Sequence, residues 1–430
     1  MTMGGCLPGG QIGPWPPQCA NLAQWVGSSL ARTAHGGTHR TRPTVGSRCE
    51  TDVVDAPISG RCDARFGAVR EEFLRNFVDR GEVGAGVCVM INGRVVIDLV
   101  GGWADEARHR PWQPDTLVNV YSVGKPLVAL LALQLVDAGL VDLDDPIVSK
   151  WPEFGAGGKE EATLRQALSH RAGVPAIREP LTNSDLWDWA RMTGALAATD
   201  AWWIPGTRHA YHTNTYGHLI GEVVRRVSGE TCGARLRAAA TPLDADLWFG
   251  VGPAEQRRCA DVIWAGSRTA TDVNFADLKG DELMTMVGYF NPSGYSSMGV
   301  VNTAAWRSAE IPSTNGHGTA GGIARLYGAL LEPGRLLTAP LLEEATSPQS
   351  QGYCPVLGEE VTFGLGFKPT APRRPFGPNP NSFGHFGTGG AVGFADPDAG
   401  IAFGYAMNHV IPRWQSSRNR ALIDALYSSL

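Results

Sequence analysis

Strand-like runs near both ends of this chain, separated by a long region without a clean strand run, constrain its fold more than any other feature. Residues 85–100 contain two β-rich runs on either side of Asn92-Gly93, a pair typical of two-residue hairpin turns. Further strand-like runs occupy 361–368, 383–394 and 401–408. This order predicts an α/β (α+β) fold: an antiparallel sheet built from both chain ends and flanked by helices, with a mainly helical region inserted.

The first sixty residues differ in composition from the rest of the chain. Residues 1–60 are rich in Gly, Pro, Ser, Thr and Arg and show no sustained period, which predicts a poorly ordered leader. The folded domain is predicted to span 63–430. Its sheet-containing part covers 63–120 and 331–430, and its helical part covers 121–330.

Apolar residues recur at helical spacing in segments that flank the predicted strands. Phe66, Val69, Phe73 and Phe77 show this spacing close to the start of the predicted domain. The predicted helices cover 64–80, 126–139 and 413–428.

Charge and hydropathy exclude several classes of protein. The 37 basic and 42 acidic residues leave a net charge of −5, so a nucleic-acid partner, which needs a basic face, is not expected. The longest apolar run, 126–140, is interrupted by Gln134 and Asp137 and is too short to span a bilayer. No basic start precedes an apolar stretch near the N-terminus, so no secretory signal is predicted and a cytoplasmic protein is expected.

Cysteine spacing gives no sign of a metal site or of a disulfide framework. The eight cysteines form no CxxC pair and no paired spacing with histidine. Reduced thiols, no bound metal and no cofactor are therefore expected.

A serine and a lysine three residues apart open one predicted helix. Ser122 and Lys125 come just before an apolar run. This run begins at Pro126, a residue suited to the first turn of a helix. Residues at i and i+3 share a helix face, so the amine can reach the hydroxyl. A lysine in a dry site has a lowered pKa and can accept the proton that makes serine a nucleophile. A helix-capping serine beside a solvated lysine is the alternative interpretation.

A tyrosine lies in a turn-rich segment before the next predicted helix. Tyr211 precedes a helix that is predicted to begin near Thr215, and its phenol could move a proton in an electropositive site. An ordinary half-buried tyrosine is the alternative. His209, His212 and His218 lie close by, but no carboxylate or cysteine completes a standard zinc set, so a metal site is not predicted.

A glycine-rich strand lies near the end of the chain. Residues 383–390 read Phe-Gly-His-Phe-Gly-Thr-Gly-Gly, and glycines inside a strand indicate close approach of a backbone or a ligand. A plain glycine-rich edge strand is the alternative. No GK[ST] follows, which disfavours a phosphate loop, and the chain has no G-x-S-x-G elbow of the α/β-hydrolases.

These three features, in this order and spacing, resemble the serine β-lactamase and penicillin-binding-protein superfamily. Within it the chain looks most like the family VIII carboxylesterases, whose β-lactamase-like fold is similar to that of class C β-lactamases. Residues 168–175 (Leu-Ser-His-Arg-Ala-Gly-Val-Pro) and 151–154 (Trp-Pro-Glu-Phe) support the resemblance, which covers roughly 63–430.

The resemblance implies a role for each matching residue. Ser122 would be the acylated nucleophile, Lys125 the general base or its electrostatic support, and Tyr211 the partner that moves protons. The backbone amides of Ser122 and Thr388 would form the oxyanion hole. Three residues stand where β-lactamases carry Lys-Thr-Gly and would bind substrate: His385, Phe386 and Gly387.

Two departures from the β-lactamase pattern favour the esterase branch. The tyrosine motif usually has asparagine two residues on, but here that position is Thr213 and Asn214 follows it. His385 replaces the lysine that helps to bind an antibiotic carboxylate, and a histidine is mostly uncharged at neutral pH.

The resemblance therefore implies a serine carboxylesterase acting on a small-molecule, short-chain acyl ester. The alternatives are an acyltransferase or amidase that uses the same acyl-enzyme, then a β-lactamase or D-alanyl-D-alanine peptidase, and last a non-catalytic protein that keeps the fold. Aromatic side chains in segments expected to flank the site could form an apolar pocket or could pack the helical region: Trp187, Trp189, Trp202, Trp203 and Phe386. The oligomeric state is not indicated.

Overall fold

The computed structural model describes residues 56–265, 274–411 and 415–430. The strands are β1 Ile58–Cys62, β2 Gly84–Ile91, β3 Arg94–Gly102, β4 Val118–Asn119, β5 Leu247–Trp248, β6 Ile263–Trp264, β7 His317–Gly318, β8 Ser350–Cys354, β9 Glu359–Phe363, β10 Lys368–Pro369, β11 Phe383–Phe386, β12 Val392–Asp396, β13 Ile401–Met407 and β14 His409–Val410. The α-helices are α1 Gly67–Asp79, α2 Gly124–Asp137, α3 Leu164–Leu168, α4 Trp189–Ala198, α5 Thr215–Ser228, α6 Cys232–Ala240, α7 Pro253–Gln256, α8 Gly280–Phe290, α9 Ala304–Ser308, α10 Ala320–Leu330, α11 Ala339–Thr346 and α12 Ser417–Tyr427.

A seven-stranded antiparallel sheet joins the two ends of the chain. Its strand order is β1-β3-β2-β13-β12-β11-β10, so three strands come from the start of the domain and four from its end. The two groups meet where β2 pairs with β13, from Ala85 opposite Met407 to Ile91 opposite Ile401. This topology confirms the predicted α/β (α+β) fold, with an antiparallel sheet built from both chain ends and an inserted helical region.

The structure corrects several predicted boundaries. The run 383–394 is two strands, β11 and β12, because a 3₁₀ turn at Thr388–Gly390 reverses the chain between them. Gly389 and Gly390 have φ values of 87° and 115°, which glycine adopts without steric cost. The run 361–368 is likewise divided between β9 and β10. Strand β1 begins at Ile58, inside the predicted leader, because its backbone pairs with the edge of β3; the leader before residue 56 lies outside the described residues.

Helices cover both faces of the sheet. Helix α10 packs closely on one face because strand glycines leave room for it: a Cβ at Gly404 would lie 2.2 Å from the Ala320 carbonyl oxygen, and one at Gly393 would lie 2.5 Å from Ile323. Helices α1 and α12 pack together on the opposite face, where Phe73 lies against Gly101. The predicted helix 64–80 is a short 3₁₀ turn, Ala64–Phe66, that leads into α1.

The inserted region is organised around α2. This helix is buried on almost every side, as expected for a helix without a polar face, and it packs against α5 and α6. It begins two residues before the predicted 126–139 segment and ends at Asp137. The short strands β4, β5 and β7 form a small sheet inside this mainly helical region. Across the described residues, no helix has both the length and the apolar character needed to cross a membrane.

Candidate active site

The turn before α2 holds Ser122 in a constrained backbone. Residues Tyr121–Val123 form a 3₁₀ turn, and Tyr121 has a φ of 52°, which costs about 1–3 kcal/mol for a bulky residue. The Tyr121 side chain is fixed by a 3.2 Å contact between its hydroxyl and Ser297 Oγ and by packing against Trp264. A Cβ at Gly124 would lie 2.3 Å from the Pro312 carbonyl oxygen, so only glycine lets α2 begin at this place.

The Lys125 side chain lies within hydrogen-bonding distance of Ser122. Its Nζ lies 3.1 Å from Ser122 Oγ, 2.6 Å from the Thr213 carbonyl oxygen and 3.0 Å from the Ser313 carbonyl oxygen. The side chain is fully buried, and none of these partners is a carboxylate. Burial without a compensating negative charge holds the pKa of Lys125 well below its usual value.

Tyr211 lies beside Ser122 and Lys125, with its ring among other aromatic rings. Lys125 Nζ is 4.7 Å from the centre of the Tyr211 ring, which stacks on the rings of Phe363 and His385. The Tyr211 backbone amide donates a 3.2 Å hydrogen bond to Cys354 Sγ, which fixes the loop. Burial raises the pKa of Tyr211 well above its usual value, and a hydrogen bond with the Ser122 side chain acts in the opposite direction.

The pKa values of Lys125 and Tyr211 shift in opposite directions, so the two side chains favour different protonation states. Burial favours the neutral form of each side chain, so Lys125 tends toward a free amine and Tyr211 toward a protonated phenol. The structure thus brings together the three residues that the sequence predicted as catalytic, with an amine able to accept a proton next to a phenol able to donate one.

The end of β11 is pressed against the turn that carries Ser122. A Cβ at Gly387 would lie 2.4 Å from the Val120 carbonyl oxygen, so the missing side chain allows the two backbones to touch. Thr388 follows at the start of the 3₁₀ turn. Both predicted oxyanion-hole segments therefore lie side by side.

The two side chains before Gly387 have different environments. The His385 ring stacks on Tyr211, and its Nδ1 lies 2.7 Å from the Phe386 carbonyl oxygen. Burial, with the nearby charges of Lys368 and Lys125, holds the pKa of His385 well below its usual value. The Phe386 ring stacks on Phe376, in the segment between β10 and β11, instead of facing Tyr211, because successive strand residues point to opposite faces. A pocket-lining role for the Phe386 side chain stays a prediction.

The tryptophans predicted to flank the site are mainly held by the helical region. Trp189 Nε1 donates a 2.7 Å hydrogen bond to Glu222, and Trp202 Nε1 donates a 2.8 Å bond to the Ala176 carbonyl oxygen. The Trp203 ring lies edge-on against His212, so it supports the tyrosine loop from one side.

Sequence reasoning missed residues that support the site from other elements. His170, part of the 168–175 segment, packs its ring against both Tyr211 and Phe363, and its Nδ1 accepts a 3.1 Å hydrogen bond from the His212 amide. Lys368 on β10 is also buried, and burial lowers its pKa to about 8. The 168–175 motif was a usable signal for His170, whereas nothing in the local sequence marks Lys368 as a neighbour of His385.

Thr213 and Asn214, where the sequence differs from the β-lactamase tyrosine motif, hold the backbone in place. Thr213 presents its carbonyl oxygen to Lys125, as described above. Asn214 turns away from Ser122: its Nδ2 donates to the Gly288 carbonyl oxygen at 2.8 Å, and its Oδ1 accepts from Thr314 at 3.0 Å. Asn214 therefore does not take the place of an asparagine two residues after Tyr211.

The histidines around Tyr211 are structural in this arrangement. His212 Nδ1 lies 2.7 Å from the Ala210 carbonyl oxygen while Nε2 accepts from the Val174 amide at 3.2 Å, so the ring is held as a neutral tautomer. His218 Nδ1 lies 2.6 Å from the Tyr295 hydroxyl. No group of three or more His, Cys, Asp or Glu side chains in the described ranges could hold a metal ion. The five cysteines within those ranges are all free thiols.

Acidification is expected to destabilise the fold through these buried histidines. Burial lowers the pKa of His212 to about 4 and those of His218 and His317 to about 3. The unfolded chain takes up these protons near pH 6.5 and the folded chain does not, so the free energy of unfolding falls as the pH drops below 6.5. Each histidine lowers the free energy of unfolding by about 1.4 kcal/mol per pH unit, and the three together lower it by roughly 4 kcal/mol per pH unit. Urea unfolding at pH 7.0, 6.0 and 5.0 measures this fall.

A matched pair of variants separates this effect from general acid sensitivity. His218→Gln removes one buried histidine and should flatten the pH dependence of the free energy of unfolding. His109→Gln removes an exposed histidine and should leave the slope unchanged. Identical slopes for the two variants would contradict the assignment.

Comparison with known proteins agrees with the fold and with the class of chemistry. A sequence model of the Beta-lactamase family matches residues 70–427. The chain is 33% identical over 385 residues to "Esterase/beta-lactamase LipL" of Mycobacterium tuberculosis, which covers 83% of this chain and 85% of that protein. A family VIII carboxylesterase structure superposes with a TM-score of 0.80 and 36% identity, covering 87% of this chain and 100% of the other. The structure of a penicillin-binding-protein homologue from Caulobacter crescentus superposes with a TM-score of 0.78 and 39% identity, covering 87% of this chain and 100% of the other.

The fold and these relatives define a serine hydrolase with a β-lactamase-like architecture. The resemblance inferred from the three motifs is confirmed. The chain belongs to the Beta-lactamase family, and its relatives include esterases as well as penicillin-binding-protein homologues.

Proposed function

We propose that this protein is a serine carboxylesterase that hydrolyses short-chain acyl esters through an acyl-enzyme on Ser122. The observation that carries the proposal is the 3.1 Å separation of Lys125 Nζ from Ser122 Oγ, in a site where none of the partners of Lys125 among the described residues is a carboxylate. A serine becomes an effective nucleophile only when a neighbouring base takes its proton, and a desolvated amine can do so.

In the acylation step, the Ser122 oxygen attacks the ester carbonyl carbon while the Lys125 amine takes the hydroxyl proton. The carbonyl oxygen becomes an oxyanion, which the Ser122 and Thr388 amides would stabilise by about 3 kcal/mol each. Collapse of the tetrahedral intermediate breaks the bond to the alcohol oxygen and leaves the acyl group on Ser122.

Tyr211 fits the transfer of the proton to the departing alcohol. Its phenol is held neutral by burial, so it can donate to the alkoxide and be reprotonated by the Lys125 ammonium, which lies 4.7 Å from its ring centre. The reverse sequence of transfers activates water for deacylation. Protons balance over the cycle: water supplies one hydrogen to the alcohol and its hydroxyl to the acid.

The environment of His385 supports an ester substrate over an anionic β-lactam. Burial keeps this histidine neutral, so it supplies no charge at the position where β-lactamases carry a lysine. The esterase names of several relatives agree with this preference. Hydrolysis of β-lactams is the second candidate, because one relative is described as both esterase and β-lactamase.

Covalent trapping tests the proposal directly. A fluorophosphonate probe is expected to add one phosphonyl group per chain, on the peptide that contains Ser122, and p-nitrophenyl butyrate should slow the labelling. Peptide mass spectrometry identifies the modified residue. Turnover of p-nitrophenyl acetate, butyrate and octanoate is expected to favour the shorter acyl chains, and nitrocefin turnover should be weaker.

Three results would count against this function. Labelling confined to a residue other than Ser122 would remove the nucleophile assignment. Faster turnover of nitrocefin than of any ester would move the assignment to a β-lactamase. Added alcohol that captures most of the acyl group would indicate an acyltransferase.

A further inference from the structure

A buried ion pair lies behind the oxyanion-hole turn, on the face of the sheet covered by α1 and α12. Arg418 on α12 places one terminal nitrogen 2.7 Å from Glu82 Oε1, and both side chains are almost completely buried. The Tyr405 hydroxyl donates to the other Glu82 oxygen. Burying two charges is costly, and an apolar pair would often be as stable, so the pair calls for a role that apolar side chains would not perform.

The same guanidinium holds the backbone of the turn. Its second terminal nitrogen donates to the Gly389 carbonyl oxygen at 2.8 Å and to the His409 carbonyl oxygen at 2.9 Å. The neighbouring Asn419 side chain donates to the Gly390 carbonyl oxygen at 2.8 Å. Two successive carbonyl groups that directly follow Thr388 are therefore fixed by adjacent residues of α12.

The opposite side of the turn packs against the segment that leads to Ser122. Gly387 touches the Val120 carbonyl, two residues before Ser122, as described above. The turn Thr388–Gly390 is thus held between the Ser122 segment on one side and Arg418 on the other. Because Gly389 and Gly390 have positive φ values and little intrinsic stiffness, their carbonyl contacts decide where the Thr388 amide points.

We propose that Arg418, held by Glu82, is a positioning residue that aims the Thr388 amide at the oxyanion. This inference rests on the function proposed above, because it assumes that Ser122 forms tetrahedral intermediates. Planar guanidinium geometry is needed, since one group must bind a carboxylate and two carbonyl oxygens in different directions. A lysine at this position offers a single nitrogen and cannot span the same three acceptors.

The test compares Arg418→Lys with Arg420→Lys. Arg420 lies on the same helix but binds the Pro375 carbonyl oxygen and Asp424 near the surface, so it is a matched control. Arg418→Lys is expected to lower kcat/KM for p-nitrophenyl butyrate by about 10- to 100-fold, the size of effect that follows from misplacing a catalytic group by about 1 Å. The inhibition constant of a trifluoromethyl ketone, whose Ser122 adduct carries an oxyanion, should rise by the same factor.

The inhibitor distinguishes positioning from loss of folded protein. A smaller folded fraction lowers kcat but leaves the inhibition constant unchanged, so a fall in kcat alone would overturn the proposal. Asn419→Ala and Glu82→Gln provide two further variants if Arg418→Lys does not fold. Each should raise the inhibition constant of the ketone by a smaller factor than the one expected for Arg418→Lys. Wild-type inhibition constants in all folded variants would also overturn it.

Failure of the proposed function gives a different result. If the wild-type protein shows no Ser122-dependent turnover and no labelling by a fluorophosphonate, both proposals fall together. If the wild-type protein is active and Arg418→Lys matches Arg420→Lys in both readouts, only the positioning role falls.

Discussion

Ser122→Ala is expected to lower kcat/KM for p-nitrophenyl butyrate by about 10⁴-fold or more. Removing the nucleophile of an acyl-enzyme mechanism leaves only substrate binding and the oxyanion donors, which is the pattern known for serine hydrolases. The fold should persist because Ser122 contributes one small polar side chain to the turn. Initial rates at several substrate concentrations, with a thermal unfolding scan of each protein, measure the effect.

Ser308→Ala is the control for this substitution. Ser308 is an exposed serine at the end of α9, so its removal should leave kcat/KM unchanged. Equal rates for Ser122→Ala and the wild type would mean that another residue is the nucleophile, or that the activity belongs to a contaminant.

Lys125→Met is expected to lower kcat/KM by about 10³-fold, since general-base assistance is lost while Ser122 remains. The wild-type protein should show kcat/KM rising with pH to a plateau well below pH 10.5, because burial lowers the pKa of Lys125 and so frees the amine at lower pH. Lys125→Arg should be equally inactive throughout this range, because a guanidinium does not give up its proton.

Lys159→Met separates the loss of a base from the loss of a buried lysine. Lys159 is also buried, and its ammonium binds the carbonyl oxygens of Ala156, Ala197 and Thr199. Its replacement should lower the thermal unfolding midpoint without lowering kcat/KM of the folded protein. A pH profile that rises only above pH 10 would contradict the role assigned to Lys125.

The catalytic candidates were predictable because each lies in a local pattern. Ser122 and Lys125 are one helical turn apart, so their contact follows from helix geometry alone. Tyr211 and the 383–390 strand are far away in sequence, and only the resemblance to a known superfamily placed them beside Ser122. The sheet built from both chain ends was likewise predictable, since the hairpin at 85–100 and the late strand-like runs had no other partners.

The supporting residues were not predictable, for a physical reason. Arg418 and Glu82 meet because α12 packs against α1 and Glu82 lies between α1 and β2, and neither residue has a local pattern that marks a buried charge. Lys368 reaches the site through the packing of strands whose spacing depends on the whole fold. The direction of the Phe386 side chain could not be predicted, because strand alternation could not be phased until the turn at Thr388–Gly390 was known.

The pairing of β2 with β13 has a consequence for how the protein is made. Ser122 and Lys125 leave the ribosome more than 260 residues before Thr388 does, and the central pair of the sheet cannot form until β13 has been synthesised. Contacts between such distant segments form slowly, because a long loop must close first. A nascent chain would therefore carry the proposed nucleophile and base without the proposed oxyanion hole, and we expect ester hydrolysis to begin only after the last strands have joined the first.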